Sequence, residues 1–329
     1  MPLALLFALS LAASPASPLV LPDATGFIGF DDLGFVPGVG VLVPAGRTGR
    51  LYLITPGTHA VSTVDGFSRS DTRHGGHGDG VTSADAGSGW LVATDRDQRA
   101  VILVEAASRR IVARAKLAAG PDYARWVPSA QEVWVTEPSA QQVEVFALEA
   151  GPTPRLSRTA TIRVPGGPES LVVAPDGRRA YTNTFRDETL ALDVKSHSVA
   201  ATWKNRCGGA RGIALDPARG LVFVGCDEGK AVALDISKGG AVVGEAKTAT
   251  GVDVIAFSSS LGHLYVPGAD DGTLTILSVG ARGELAPVST VATAREAHCV
   301  TADDRGDVYV CDPEHGRLLL FHDPPPQAK

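Results

Sequence analysis

Glu169-Ser-Leu-Val-Val-Ala-Pro-Asp-Gly-Arg-Arg-Ala-Tyr-Thr-Asn183 is answered by Arg211-Gly-Ile-Ala-Leu-Asp-Pro-Ala-Arg-Gly-Leu-Val-Phe-Val-Gly-Cys226. Both stretches follow one plan: a small or charged residue, an apolar strand, an Asp/Pro/Gly turn, a second apolar strand, a polar stop. Further copies begin at Asp79, near Tyr123, at Asp253 and at Ala297, spaced by 42 to 46 residues. A period in the forties with several short strands per unit marks a β-propeller. An earlier unit from Phe27 to Phe67, with Arg50-Leu-Tyr-Leu-Ile54 and Ala60-Val-Ser-Thr-Val64, brings the count to seven. The last unit stops after its third strand, Leu318-Leu-Leu-Phe321. Ser17-Pro-Leu-Val-Leu-Pro22 is the expected fourth strand, because an open array would expose unpaired backbone at its edge. The expected fold is therefore all-β, a single seven-bladed β-propeller over 17–323 with its ring closed by an N-terminal strand.

The ends fit that frame. Residues 1–16 read as a signal peptide: an apolar run from Pro2 to Ala13 is followed by small residues up to Ala16. The run has no Lys or Arg before it, so an apolar N-terminal strand or a mis-assigned start is the alternative. It is too short to span a bilayer as a helix, and no second apolar stretch approaches that length. Residues 324–329 read as a disordered tail. The formal net charge of −6 and the lack of a Lys/Arg run argue against nucleic acid as a partner. A monomer in the periplasm, or secreted, is expected.

Four cysteines fall in two local pairs, Cys207/Cys226 and Cys299/Cys311, each bracketing one hairpin. Neighbouring antiparallel strands can bring such residues to bonding distance, so Cys207–Cys226 and Cys299–Cys311 are the expected disulfides. Reduced, buried thiols are the alternative. There is no Cys-x-x-Cys spacing for a structural zinc.

The segment from about Gly166 to Leu277 resembles the YVTN-type β-propeller repeat proteins, the YncE-like group. The carriers are Gly167-Pro168-Glu169, Ala180-Tyr-Thr-Asn183, Cys207-Gly-Gly-Ala-Arg-Gly-Ile-Ala-Leu-Asp-Pro217, Gly251-Val-Asp253 and Asp271-Gly-Thr-Leu-Thr-Ile276. Asp304-Arg-Gly-Asp-Val-Tyr-Val-Cys-Asp312 is similar to an NHL-type repeat. The resemblance implies a seven-bladed propeller, usually of the cell envelope, with no activity common to its members.

Candidate chemistry lies where the inner strands begin, because those positions crowd one mouth of the central channel. They are read as Asp31 or Asp32, Asp79, Tyr123 with Arg125, Glu169, Arg211, Asp253, and His298 with Glu296. Converging ionisable groups in a concavity make a default binding site. The competing reading is a solvated mouth of ion pairs such as Arg211 with Glu169. Asp79, Arg125, Glu169, Arg211, Asp253 and His298 are thus the expected ligand-binding set. Arg125 and Arg211 would clamp an anionic group while carboxylates take hydroxyls or amines.

A divalent cation is a second possibility. Glu169, Asn183 and Asp253 offer oxygens of the kind calcium takes. His74 and His77, in the Gly-rich tract before Asp79, could hold zinc or copper with His298 across the channel. His59, His197, His263, His315 and His322 fall in turns or outer strands and read as surface residues. Trp90, Trp126, Trp134 and Trp203 read as packing between blades.

No Gly-x-Ser-x-Gly elbow, Walker loop or His-Glu-x-x-His helix is present. The reading is a non-catalytic module binding a small molecule or an envelope protein through the channel mouth or a loop face. The alternative is a metal-dependent lactonase or related hydrolase.

Overall fold

The computed structural model describes residues 16–71, 73 and 77–324. They form seven four-stranded antiparallel sheets arranged as the blades of a propeller. Blade one is Gly34–Val36, Gly40–Ala45, Arg50–Ile54 and Val61–Asp65. Each later blade repeats that meander, from Ala84–Gly87 at the inside of blade two to Leu285–Ala292 at the outside of blade six. Blade seven has three strands of its own, Val300–Ala302, Asp307–Asp312 and Arg317–His322. Ser17–Val20 pairs antiparallel with the last of these, Ser17 opposite Leu320, and completes the sheet. The ring closes as the sequence requires. The signal-peptide reading (apart from Ala16), His74 and the tail beyond Pro324 lie outside the described residues.

Strand and turn chemistry explain the regular blades. In Arg179–Asn183 and Leu221–Cys226 nearly every side chain is buried, because both faces of an inner strand pack on neighbouring blades. Outer strands such as Ser198–Lys204 alternate exposed and half-buried residues, as a sheet with one wet face must. Gly177 closes the Asp176-Gly177 turn at φ +65°, donating its N–H to the Ala174 carbonyl at 2.8 Å. A side chain there would be strained.

The core is bulky and lies between blades. Trp134 is fully buried and donates its indole N–H to Glu132 at 2.9 Å. Its truncation to Ala would cost about 3–5 kcal/mol. Trp126 packs over Gly87, where an added Cβ would sit 2.1 Å from the indole. His197 meets Trp134 edge-on and bonds Glu132 at 3.1 Å. His263 corrects the surface reading. It is buried in the second strand of blade six, with Nδ1 2.8 Å from Asp323, which also accepts the Tyr265 hydroxyl.

The cysteine pairs differ. Cys207 and Cys226 are bonded, with Cα atoms 5.4 Å apart. Cys299 and Cys311 are not, contrary to the sequence expectation; both are free, buried thiols. They face each other across blade seven, and Cys311 N–H donates to the Cys299 carbonyl at 3.0 Å. The Cys299 N–H donates instead to the Cys311 sulfur at 3.2 Å, so that sulfur acts as an acceptor rather than a bonded partner.

Candidate functional site

Repeated hydrogen bonds fix which residues are equivalent around the channel. Thr94 N–H bonds the Ser83 carbonyl, Thr136 N–H that of Tyr123, and Cys311 N–H that of Cys299. Phe30, Pro168 and Ala210 pair alike with Ala45, Thr184 and Cys226. Asp227 N–H bonds Gly209 and Ala269 N–H bonds Gly251 in the same way. The mouth residue, one after Phe30, Pro168 and Ala210, two after Gly209 and Gly251, and one before Ser83, Tyr123 and Cys299, is therefore Asp31, Thr82, Asp122, Glu169, Arg211, Asp253 and His298, one per blade.

Against this register, the sequence alignment slips in two units. In blade two the equivalent of Asp79 is Thr82, and in blade three the equivalent of Tyr123 is Asp122. Asp79 is half-buried, its carbonyl lies against Gly46, and it is not among the residues that line the mouth, although its charge is felt by Arg96. Asp122 was missed, yet its signal is plain. Gly120-Pro121-Asp122 repeats Gly167-Pro168-Glu169 and Gly251-Val252-Asp253.

The mouth is a basin in two halves of about 390 and 270 Å³, both lined by His77, Glu169 and Asp253. His77 stands between them. Its loop enters because two glycines let backbone approach backbone. A Cβ on Gly29 would lie 2.3 Å from the Gly78 nitrogen, and one on Gly46 1.8 Å from the Asp79 carbonyl oxygen. His77 Nε2 is 3.3 Å from Asp253, its Nδ1 is 3.8 Å from Asp31, and its ring lies 4.0 Å from that of His298. His77, Asp253 and His298 each offer one donor atom within 4.8 Å of the other two.

Two arginines of the basin, Arg96 and Arg211, are engaged. Arg96 bridges Asp31 at 3.1 Å and Asp122 at 2.7 Å, and Arg211 reaches Glu169 at 3.3 Å while lying over Phe185. Even so, negative charge is in excess. Burial, then repulsion from Asp31 and Asp253, pushes Asp122 well above the usual carboxyl range, and burial, then repulsion from Asp122, Asp253 and Asp31, does the same to Glu169. Burial also acts on Asp31, but the His77 ring at 3.8 Å and the charges of Arg96 and His298 leave its carboxyl below its ordinary value.

His298 is 3 % exposed. Its Nδ1 is 2.7 Å from the Glu296 carbonyl and its Nε2 3.1 Å from that of Phe30. Two carbonyl acceptors call for two N–H donors, which is the imidazolium form. Burial opposes that charge. The Cys311 sulfur, Asp253 and the Glu296 carbonyl outweigh burial and push the ring up to about 10.

Arg125 belongs to a deeper tier. It forks onto Asp32 (Nη2 to Oδ1 2.8 Å), and Ser83 donates to the same carboxylate. Asn183 leaves the mouth altogether. It is fully buried, its Nδ2 donates to the Arg211 and Gly212 carbonyls, and its Oδ1 accepts from Thr189 at 2.7 Å. The carboxamide holds two blades together, so it is not the metal ligand that its position in sequence suggested. The structure thus gathers Glu169, Arg211, Asp253, His298 and His77, and separates Asp79, Arg125 and Asn183 from them.

No protein-family profile matches this chain, and no curated protein does. Solved structures match over nearly its whole length. A chain of the mitotic checkpoint complex aligns with a TM-score of 0.76 at 15% identity, covering 99% of this chain and 100% of that one. Kuenenia stuttgartiensis hydrazine synthase aligns with a TM-score of 0.70 at 13% identity, covering 92% and 97%. The Cps50 (Swd1) β-propeller domain of Myceliophteria thermophila aligns with a TM-score of 0.70 at 13% identity, covering 94% and 99%. At such identities the likeness is one of fold, and that fold is the seven-bladed β-propeller.

Proposed function

We propose that this propeller is a binding module that holds a divalent transition-metal ion in its channel mouth, at His77, Asp253 and His298. The observation that carries the reading is the convergence of these three donors, brought from a loop and two blades to within 4.8 Å of one another. Two imidazoles and one carboxylate suit zinc, copper or iron better than calcium, which takes oxygens. The His298 Nδ1–H bond to the Glu296 carbonyl orients the ring as supporting bonds to metal-ligating histidines do. A bound ion takes the place of the Nε2 proton. Carboxylates outnumber arginines around the basin, Asp31, Asp227, Asp270 and Glu296 among them, and this acidic excess draws cations. Arg96 and Arg211 are neutralised by the carboxylates they bind. The remaining coordination positions open onto the basin, where a small ligand fits beside the ion.

Metal content of the purified protein, with unfolding curves recorded with and without chelator, tests the reading. One ion per chain and a chelator-sensitive Tm are expected, both lost in His77→Ala. A metal-free protein that no added Zn(II) or Cu(II) stabilises would contradict it. The hydrolase alternative shares the ion but loses Asn183 from its ligand set. It stands only if a lactone and ester screen of the metal-replete protein shows turnover that Asp253→Asn abolishes. The YncE-like kinship and envelope location rest on the quoted motifs, with the Cys207–Cys226 bond in keeping with an oxidising compartment.

A further inference from the structure

Beneath the mouth, behind His298, lies a second cluster that the reading above does not use. His298, Cys299 and Cys311 each present a donor atom within 4.8 Å of the others, and all three are buried. Position follows from the fold. Cys299 succeeds the mouth residue of blade seven, and Cys311 stands opposite it on the next strand. His298 Nδ1 is 4.0 Å from the Cys311 sulfur. The Cys299 backbone N–H is aimed at that same sulfur at 3.2 Å. Donors directed at a buried sulfur favour its anionic, ligating form. The other pair, Cys207 and Cys226, belongs to no such cluster among the described residues and is a plain disulfide.

We infer that His298, Cys299 and Cys311 form a closed site for one soft monovalent metal ion of the cuprous type. Thiolate sulfur selects soft ions. Among the described residues the cluster has three donors and no fourth, whereas structural zinc is almost always four-coordinate. On binding, the ion displaces three protons, the one that Nδ1 gives to the Glu296 carbonyl and one from each thiol, and all three leave to solvent. No electron moves. The ion enters by the mouth, since His298 is part of the basin wall. This site shares His298 with the proposed mouth site, but its sulfur ligands are its own, so the two fail separately.

The test is Cu(I) titration of the full chain, reduced with a phosphine under anaerobic conditions, against a chromophoric Cu(I) chelator. One Cu(I) per chain is expected. Cys299→Ser and Cys311→Ser should each weaken it by more than about 100-fold, beyond what losing a merely supporting group costs. His77→Ala should leave it unchanged while removing divalent-metal binding at the mouth. X-ray absorption of the wild-type complex reads the ligands without any variant, and two sulfurs and one nitrogen are expected. No uptake, uptake unchanged in both serine variants, or a shell of nitrogen and oxygen alone would overturn the proposal.

Discussion

The two tiers of the channel differ by a few residues in depth and sharply in how their charges are served. In the lower tier Asp32 accepts two bonds from Arg125 and one from Ser83, and Asp85 accepts the N–H groups of Trp126 and Ala86. In the upper tier Glu169 has one arginine at 3.3 Å, and Asp253 has one imidazole at 3.3 Å. Burial alone does not separate them, since Asp32, Asp85 and Glu169 are all pushed up by it. What separates them is acceptor capacity left over. A carboxylate with filled acceptors is structure, whereas one with spare acceptors in a concavity is a place for a ligand.

Breaking the lower tier should have the largest effect. Arg125→Met strands a buried carboxylate and should cost about 3–5 kcal/mol in denaturant unfolding. Metal binding at the mouth should survive wherever the variant folds. If Arg125→Met leaves stability unchanged, the lower tier is not the structural one.

Relieving the upper tier should do the opposite. Glu169→Gln keeps the shape and removes an under-served buried charge, so it should stabilise the metal-free protein at neutral pH by about 1–3 kcal/mol. Asp122→Asn should act in the same direction. The sign with pH follows from a folded-state value raised above the ordinary one of 4.5 for Glu169. Below that ordinary value the group is protonated in both states, and its contribution to stability is fully present. As pH climbs through the raised folded value, the native state loses it. Wild-type protein should therefore gain stability on mild acidification relative to Glu169→Gln, and the two curves should converge at low pH. A gap that instead widens with acidification would contradict the assignment.

The smallest change in stability is expected at His77, which is partly exposed and sits on a loop. His77→Ala should move the unfolding free energy by no more than about 0.5 kcal/mol without metal. It should nonetheless abolish the Tm increase that Zn(II) gives the wild type. A large loss of metal-free stability would mean that the loop is a structural plug.

The ring was legible in sequence because it is built by repetition. Strand, turn and strand recur from Glu169 to Cys226, and a missing fourth strand in the last unit calls for Ser17–Val20. The mouth was legible only where a unit keeps its spacing. Glu169, Arg211, Asp253 and His298 do so, while the Gly-rich connector before blade two shifts Asp79 out of register with Thr82. Asn183 shows a different limit. A carboxamide beside the inner strand looks like an oxygen donor, but its hydrogens are claimed by two carbonyls of the next blade, which no spacing reveals. Cys299 and Cys311 show a third. Their separation allows a disulfide, and the imidazole that turns them into a donor cluster is visible only in three dimensions.

The central claim is that the mouth, defined by structural register, is the binding site. Calorimetric titration of Zn(II) into wild type, Asp253→Asn and Asp79→Asn tests it most directly. The account predicts one ion per chain in wild type and in Asp79→Asn, with affinity at least about 10-fold weaker in Asp253→Asn, as removal of a ligand requires. Equal affinity in all three proteins, or loss in Asp79→Asn with Asp253→Asn unaffected, would contradict it.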